Sequence, residues 1–403
     1  MEPVVVTGLG IRSCLGNRVD EVVTALREQR SGLQAHTAYA EKGLRSHVCG
    51  PVDPEADAIP RRIRRFLGGA ALHGWHAMKQ AIEDARLEEH LLQSERTGII
   101  AGASAASCGD MVAAAHTEQE RGPRRVSPYM VPRIMTSAMS GSLATAFGIR
   151  GLNYSISSAC ATSAHCIGHA ADQIRLGRQD VIFAGGGEEE HWSLSMLFDA
   201  MGALSTGYND TPQQASRPFD CHRDGFVISG GAGILVLESL THARRRGARI
   251  VAEVAGFGAT SDGDDMVVPS GAGAVRCMKQ AISELRQPVD YINAHATGTP
   301  RGDSIELRSI REVFGEAMPP VSSTKGLAGH AQGAAGVHEA IYSILMIREG
   351  FIAGNTNLER PDPEFEGWNL PRGNLRQAPR AVLSNSFGFG GTNAALVFRE
   401  WQG

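Results

Sequence analysis

The 403-residue chain has little net charge, no paired cysteines and no long apolar run, and each lack removes a class of protein. A formal charge of −4 gives no broad basic field for nucleic acid and no acidic tract for a solvating tail. Seven cysteines, at positions 14, 49, 108, 160, 166, 221 and 277, are odd in number and scattered. None falls in C-x-x-C spacing, so no zinc or redox motif is written in the spacing, and a reducing cytoplasm is the expected location. No stretch approaches the roughly 18 apolar residues of a bilayer span. The opening M-E-P-V-V-V-T-G-L-G-I lacks a basic region and a long apolar core, so neither a signal peptide nor membrane association is expected. The G-L-G at Gly8 to Gly10 has no third glycine in dinucleotide-binding register.

What the chain does have is 42% hydrophobic residues and 48 glycines, which gather where strands turn into helices. Val4 to Val6 read as a buried strand leaving through a glycine turn, Gly98 to Gly102 as a second strand, and Val181 to Ala184 as a third ending in Gly185 to Gly187. A helix ends near Gly247, and Ile250 to Val254 begin a new strand. After it come a helix (Ala274 to Leu285), a strand (Val289 to Asn293) and helices over Ile305 to Phe314 and about Ala334 to Glu349. The rhythm predicts an α/β protein of two similar halves, residues 1–247 and 248–403.

The most informative stretch is Ser155 to Gly177, S-I-S-S-A-C-A-T-S-A-H-C-I-G-H-A-A-D-Q-I-R-L-G. An extended run gives way at Cys160 to a helical face of Ala164, Ile167, Ala171 and Ile174. A thiol at that junction meets unpaired backbone N–H groups and the positive end of the helix dipole, both of which favour thiolate. Small neighbours leave the sulfur approachable, as a nucleophile requires. The competing reading is a buried cysteine packed as a small hydrophobe, which is how Cys166 reads.

Other polar groups stand at element ends. His295, in Y-I-N-A-H-A-T-G-T-P, follows a strand, and His330, in S-S-T-K-G-L-A-G-H-A-Q-G-A-A-G, precedes a helix. Each alone is commonly structural, but two placed like the cysteine suggest a shared site. Asp303 and Glu306 fit a capping box. Glu188, Glu189, Glu190 and His191 read as a solvated loop, and Asp262, Asp264 and Asp265 lack the twelfth-position glutamate of a calcium loop. Ala103 to Ser107 form a loop of small side chains, and Ser384 to Asn393 a glycine- and phenylalanine-rich loop between strands. The arginine clusters 61, 62, 64, 65 and 121, 124, 125 are either solvated faces or a docking patch for an acidic partner.

Together, Y-S-I-S-S-A-C-A-T-S-A-H-C-I-G, F-A-G-G-G-E-E, F-D-A-M-G-A-L-S, H-R-D-G-F-V-I, S-S-T-K and S-N-S-F-G-F-G-G-T-N resemble the elongating β-ketoacyl-acyl-carrier-protein synthases of the thiolase superfamily, synthase I above all. The resemblance implies a thiolase-like five-layered αβαβα fold of two duplicated halves and a homodimer, with a heterodimer beside a chain-length factor as the alternative. It also implies acyl substrates carried on the 4′-phosphopantetheine of acyl carrier protein, with no bound cofactor or metal. On the family pattern, Cys160 is the acyl-accepting nucleophile and His295 and His330 complete a Cys–His–His site. Lys325 and Glu306 match an ion pair, with Asp303 in support; Thr297 and Thr299 match the pantetheine-binding threonines. Phe389 is implied as a gate, followed by Gly390 and Gly391 on the substrate side, and Phe226 as the aromatic beside malonyl. Arg61, Arg62, Arg65, Arg124 and Arg125 match carrier-docking regions. Two departures bear on specificity: His295-Ala296-Thr297-Gly298-Thr299 replaces the usual H-G-T-S-T, and Ser104-Ala105-Ala106 replaces a glycine run by the acyl pocket. The added methyl groups of Ala105 and Ala106 are expected to alter chain length, and a specialised polyene or polyketide pathway is the alternative to fatty-acid elongation.

Overall fold

The computed structural model describes residues 2–105 and 107–403; Ala106, expected at the acyl pocket, lies outside the described residues. Ten strands form the main sheet: β1 Val4–Arg12, β2 Thr97–Gly102, β3 Asn153–Tyr154, β4 Val181–Glu188, β5 Gly231–Ser239, β6 Ala252–Ser261, β7 Tyr291–Asn293, β8 Val321–Ser322, β9 Ala381–Gly388 and β10 Thr392–Arg399. Five helices frame it: α1 Gly69–Ala85, α2 Thr162–Arg175, α3 Ala272–Ile282, α4 Pro300–Phe314 and α5 Ala335–Glu349. The spatial order is β8-β7-β9-β10-β6-β1-β5-β4-β2-β3. Its middle is a thin seam, where only Val5 and Val6 pair with Glu253 and Ala252.

Outward from the seam, β1-β5-β4-β2-β3 and β6-β10-β9-β7-β8 follow the same path: first, fifth, fourth, second and third strand of each set. In both sets two antiparallel pairings are followed by two parallel ones.

Side-chain alternation along the strands separates three cores. In β5, Leu235 and Leu237 join a central core with α2 and α5, while Ile234 and Val236 join an outer one with α1. In β10, Leu396 and Phe398 face the central core, and Ala395 and Val397 face a third with α3 and α4. The layers are therefore helix, sheet, helix, sheet, helix. Helix α5 is buried from Ala335 through Ile347, as a helix between two sheets must be, and truncating Ile341 there to Ala should cost about 2–5 kcal/mol.

The sequence reading of the glycines needs correction. Gly8 and Gly10 do not end β1, and Gly185 to Gly187 do not end β4; both strands run on through them. The reason is close approach. A Cβ on Gly8 would lie 2.5 Å from the Ala81 carbonyl oxygen, and one on Gly10 would lie 1.8 Å from that of Ala77, both on α1. The second half repeats the device: a Cβ on Gly256 or Gly258 would lie 1.9 Å from the Ala281 oxygen or 2.1 Å from the Cys277 oxygen, on α3. Glycine here removes the spacer between strand and helix.

Candidate active site

Cys160 sits on the turn between β3 and α2, where Ala159 holds the left-handed conformation with φ of 50°. That costs an L-residue roughly 1–2 kcal/mol, so the turn must be fixed from outside. The Ser158 N–H donates to Thr162 Oγ1 (2.9 Å), which donates in turn to the Ala159 carbonyl (2.7 Å). Thr392 Oγ1, from β10, donates to the Ser158 carbonyl at 3.0 Å. The sulfur is thereby aimed at the second half of the chain.

His330 Nε2 lies 3.0 Å from Cys160 Sγ. Its backbone is clipped to one segment, Val227 to Ser229: its N–H donates to the Val227 carbonyl (2.7 Å) and its carbonyl accepts from the Ser229 N–H (3.1 Å). His295 follows β7, and its ring meets that of His330 edge-to-face at 5.2 Å. Phe226 also meets the His330 ring edge-to-face, ring centroids 5.5 Å apart. The three donor atoms of Cys160, His295 and His330 are all within 4.8 Å of one another, so a soft metal ion could also bridge them.

Electrostatics departs from one expectation. Burial, not the helix tip, governs the Cys160 thiol and pushes it up to about 12, while the Lys325 charge pulls it back. Desolvation outweighs a half-charge dipole in a dry pocket, so the resting group is a thiol. The same burial, reinforced by Lys325, holds both histidines well below their usual range. Both imidazoles are neutral at pH 7.

The expected Lys325–Glu306 pair is not formed. The Lys325 ammonium meets Glu339 of α5, and both are buried. Glu306 instead takes the backbone N–H groups of His295 (2.8 Å) and Ala296 (2.7 Å) and the Asn385 amide (3.1 Å). Burial raises both Glu306 and Glu339 to about 7, against the opposing pull of the His295 amide and of Lys325 respectively. The capping-box reading of Asp303 and Glu306 also fails. Thr299 is the N-cap of α4. Asp303 accepts from the N–H groups of Gly298 (3.1 Å) and Phe219 (2.9 Å), fixing the loop that carries the threonines.

Cys160, His295 and His330 open on one cavity of about 410 Å³, whose lining includes Thr297, Thr299, Phe226, Phe389 and Gly391. Phe389 is 37% exposed at its mouth. The loop between β9 and β10 is shorter than the sequence implied, since Ser384 to Gly388 belong to β9; Gly390 and Gly391 have φ of 81° and 69°. Gly390 donates to the Met266 carbonyl at 2.7 Å and is not among the cavity residues. Ala105 is not brought to this cavity either; it lines a separate one of about 20 Å³ with Gly68, Met135 and Met139.

A contact links the chain segments that carry the two arginine clusters. Arg65 Nη1 reaches Tyr129 Oη (3.4 Å), tying the helix Arg61–Arg64 to the segment that follows Arg124 and Arg125. Arg61, Arg62, Arg124 and Arg125 are exposed, while Arg64 pairs with Asp57.

Several site residues escaped the sequence reading. Glu188 is no solvated loop residue: it ends β4 buried, accepting from the Ser104 N–H (2.9 Å) and the Gly333 N–H (3.0 Å). Burial raises it to about 7. Phe198, Met201, Gln332 and Asp262 line the cavity. Glu339 had a signal, being the lone charge in A-A-G-V-H-E-A-I-Y-S-I-L-M-I, where a buried carboxylate demands a partner. Asp262 and Asp265, read only as failed calcium ligands, hold the loop at the cavity through the amides of Ser270, Val267 and Val268 (2.7–2.8 Å).

Two halves of identical strand path around paired central helices define the thiolase fold of the condensing enzymes. The family described as "Beta-ketoacyl synthase, N-terminal domain" matches residues 1–243, and "Beta-ketoacyl synthase, C-terminal domain" matches residues 251–359. The chain is 53% identical over 405 residues, 99% of each chain, to the "3-oxoacyl-[acyl-carrier-protein] synthase 1" of Escherichia coli (strain K12). Among solved structures, a β-ketoacyl synthase from Burkholderia phymatum STM815 matches with a TM-score of 0.93 at 34% identity, and the ishigamide ketosynthase/chain length factor with 0.92 at 31%, each covering 100% of both chains. The chain belongs to the β-ketoacyl synthase family.

Proposed function

We propose that the chain is a 3-oxoacyl-[acyl-carrier-protein] synthase of the synthase I type, an acyltransferase that elongates fatty acyl chains, unsaturated ones included, by decarboxylative Claisen condensation. The observation that carries this reading is Cys160 Sγ at 3.0 Å from His330 Nε2, with the His295 ring beside it, all open to one cavity.

The sulfur attacks the thioester carbonyl of an acyl carrier; the new C–S bond forms as the pantetheine sulfur leaves, taking the proton lost by Cys160. The nearby Lys325 charge favours the thiolate as it forms. The N–H groups of Cys160 and Phe389 stabilise the oxyanion, a contribution of ~10²–10³ in rate per donor in such sites. Malonyl-carrier protein then loses carbon dioxide, and the electron pair of the broken C–C bond becomes an enolate. Neutral His295 and His330 donate N–H to its oxygen, which is why their depressed basicity serves the reaction. The carbanion attacks the acyl carbonyl, Cys160 thiolate departs, and a proton from solvent restores the thiol. No metal or bound cofactor enters any step. Thr297 and Thr299 hold the pantetheine arm, Asp303 and Glu306 fix the backbone around them, Phe226 packs beside malonyl, and Phe389 with Gly390 and Gly391 gates the mouth.

The exposed arginines on these two linked segments support docking of an acidic carrier protein there. The exposed edge strand β3 supports a homodimer in which two sheets meet across a twofold axis. No disulfide joins the cysteines of the described residues, which supports a cytoplasmic setting, and among the described residues no helix is long and apolar enough to cross a membrane. The greater identity to the Escherichia coli synthase favours fatty-acid elongation over a specialised pathway with a chain-length factor.

The test is condensation of acyl- and malonyl-carrier substrates of several lengths, with Cys160→Ala and Cys160→Gln as controls. Elongation by the wild type that both variants lose supports the reading. Condensation by Cys160→Ala removes it.

A further inference from the structure

A second cluster of donor groups lies apart from Cys160. His36 leads into the short helix Thr37–Glu41, Cys49 lies on the short strand Val48–Gly50, and Glu190 follows β4. One ligand atom from each lies within 4.8 Å of the others, and His36 Nε2 is 3.9 Å from Glu190 Oε2. These residues are far apart in sequence, so no spacing motif announced them.

Three features make this more than a chance meeting of polar groups. The set offers one imidazole, one thiol and one carboxylate, the borderline-soft combination that suits zinc. A thiolate and a carboxylate beside a neutral imidazole carry two negative charges, so a divalent ion leaves a buried site without net charge. The carboxylate is also held from behind. Tyr39 Oη, fully buried, donates to Glu190 Oε1 and meets Ser195 Oγ at 2.5 Å, the kind of support that orients a metal-binding carboxylate. The His36 Nδ1 is buried with no hydrogen-bond partner, so no bond of that nitrogen has to be broken to turn the ring. Tetrahedral zinc places such donor atoms roughly 3.4–3.6 Å apart, against separations of up to 4.8 Å here, a contraction of at most about 1.4 Å. His36 is a third exposed, which gives an ion a way in.

We propose that His36, Cys49 and Glu190 form a three-ligand site for a divalent metal ion of the zinc class, with water taking the fourth position and Tyr39 holding the Glu190 carboxylate. Binding replaces the Cys49 thiol proton, which is released to solvent, by the metal–sulfur bond. The ion would pin the Val48–Gly50 strand to the start of the helix Trp192–Ala200. That helix carries Phe198, whose ring lies 5.4 Å from Phe226 and 6.4 Å from Phe389 in the cavity wall.

Chelator-treated full-length protein titrated with Co²⁺ tests this, because thiolate coordination to cobalt gives a near-ultraviolet charge-transfer band. The control is Cys160→Ala, since the Cys160, His295 and His330 donors could hold the same ion. The expected result is a band saturating at one equivalent per chain, kept in Cys160→Ala, lost in Cys49→Ser and displaced by Zn²⁺. His36→Ala, at a partly exposed position, should weaken binding even if Cys49→Ser folds poorly, and Tyr39→Phe should weaken it by about 10–100-fold. No band in the wild type, or a band lost in Cys160→Ala and retained in Cys49→Ser, overturns the proposal.

Discussion

Lys325 and Glu339 meet as a buried ion pair between a four-residue helix and the central helix α5, and the charge of Lys325 reaches both His295 and His330 from there. Removing one partner strands the other in a dry environment. Lys325→Met should therefore lose about 3–5 kcal/mol of stability, whereas Lys325→Met combined with Glu339→Gln should recover a substantial part. Denaturant midpoints of the two singles and the double measure this, and a double variant no better than Lys325→Met would contradict the pairing.

Glu306 receives three donors, two of them the amides that set the His295 turn. A glutamine there keeps one acceptor oxygen and turns an NH2 toward a donor. Glu306→Gln should cost about 1–3 kcal/mol in stability and, by moving His295, ~10²-fold in kcat. Malonyl decarboxylation and thermal unfolding measured together report both effects; unchanged kcat would mean that Glu306 does not position His295.

Glu188 gives a pH dependence with a definite sign. Burial raises its carboxyl from the ordinary 4.5 to about 7 in the folded protein, so the folded state holds the proton more tightly. Folding is then favoured at low pH, and that advantage is lost as pH rises from about 4.5 to about 7, by up to ~1.4 kcal/mol per unit. The stability of the wild type relative to Glu188→Gln should fall across that window and level off above it. A rising difference would show that the carboxylate is stabilised instead.

The matched glycines make a further case. Gly10→Ala and Gly258→Ala each press a methyl group onto a helix carbonyl, of Ala77 in one half and Cys277 in the other. Both should lose at least about 1–3 kcal/mol, by similar amounts if residues 1–247 and 248–403 are two copies of one unit. Calorimetric midpoints would show it.

How far the sequence could be read followed from what was local. Cys160, His295 and His330 stand at strand and helix ends, where a change of hydrophobic period is visible, and the strands beginning near Val4, Gly98, Val181, Ala252 and Tyr291 follow the α/β rhythm. The misses are contacts between distant segments. Gly8 and Gly10 read as a turn because the carbonyls of Ala77 and Ala81 that require them lie some 70 positions away. The Lys325–Glu306 pair is implied by the family resemblance alone, and the ammonium reaches Glu339 instead, a choice between two buried carboxylates that no local pattern decides. A Cys160 thiolate is the expectation from the helix tip, but burial of the sulfur, which no local pattern displays, raises the thiol instead.

The central claim concerns one sulfur. Intact-mass measurement and peptide mapping after brief exposure to an acyl-carrier thioester without malonyl substrate address it directly. One acyl group per chain on Cys160, absent from Cys166 and absent in Cys160→Ala, is the result predicted here. An adduct on another residue, or none on an active wild-type protein, would contradict it.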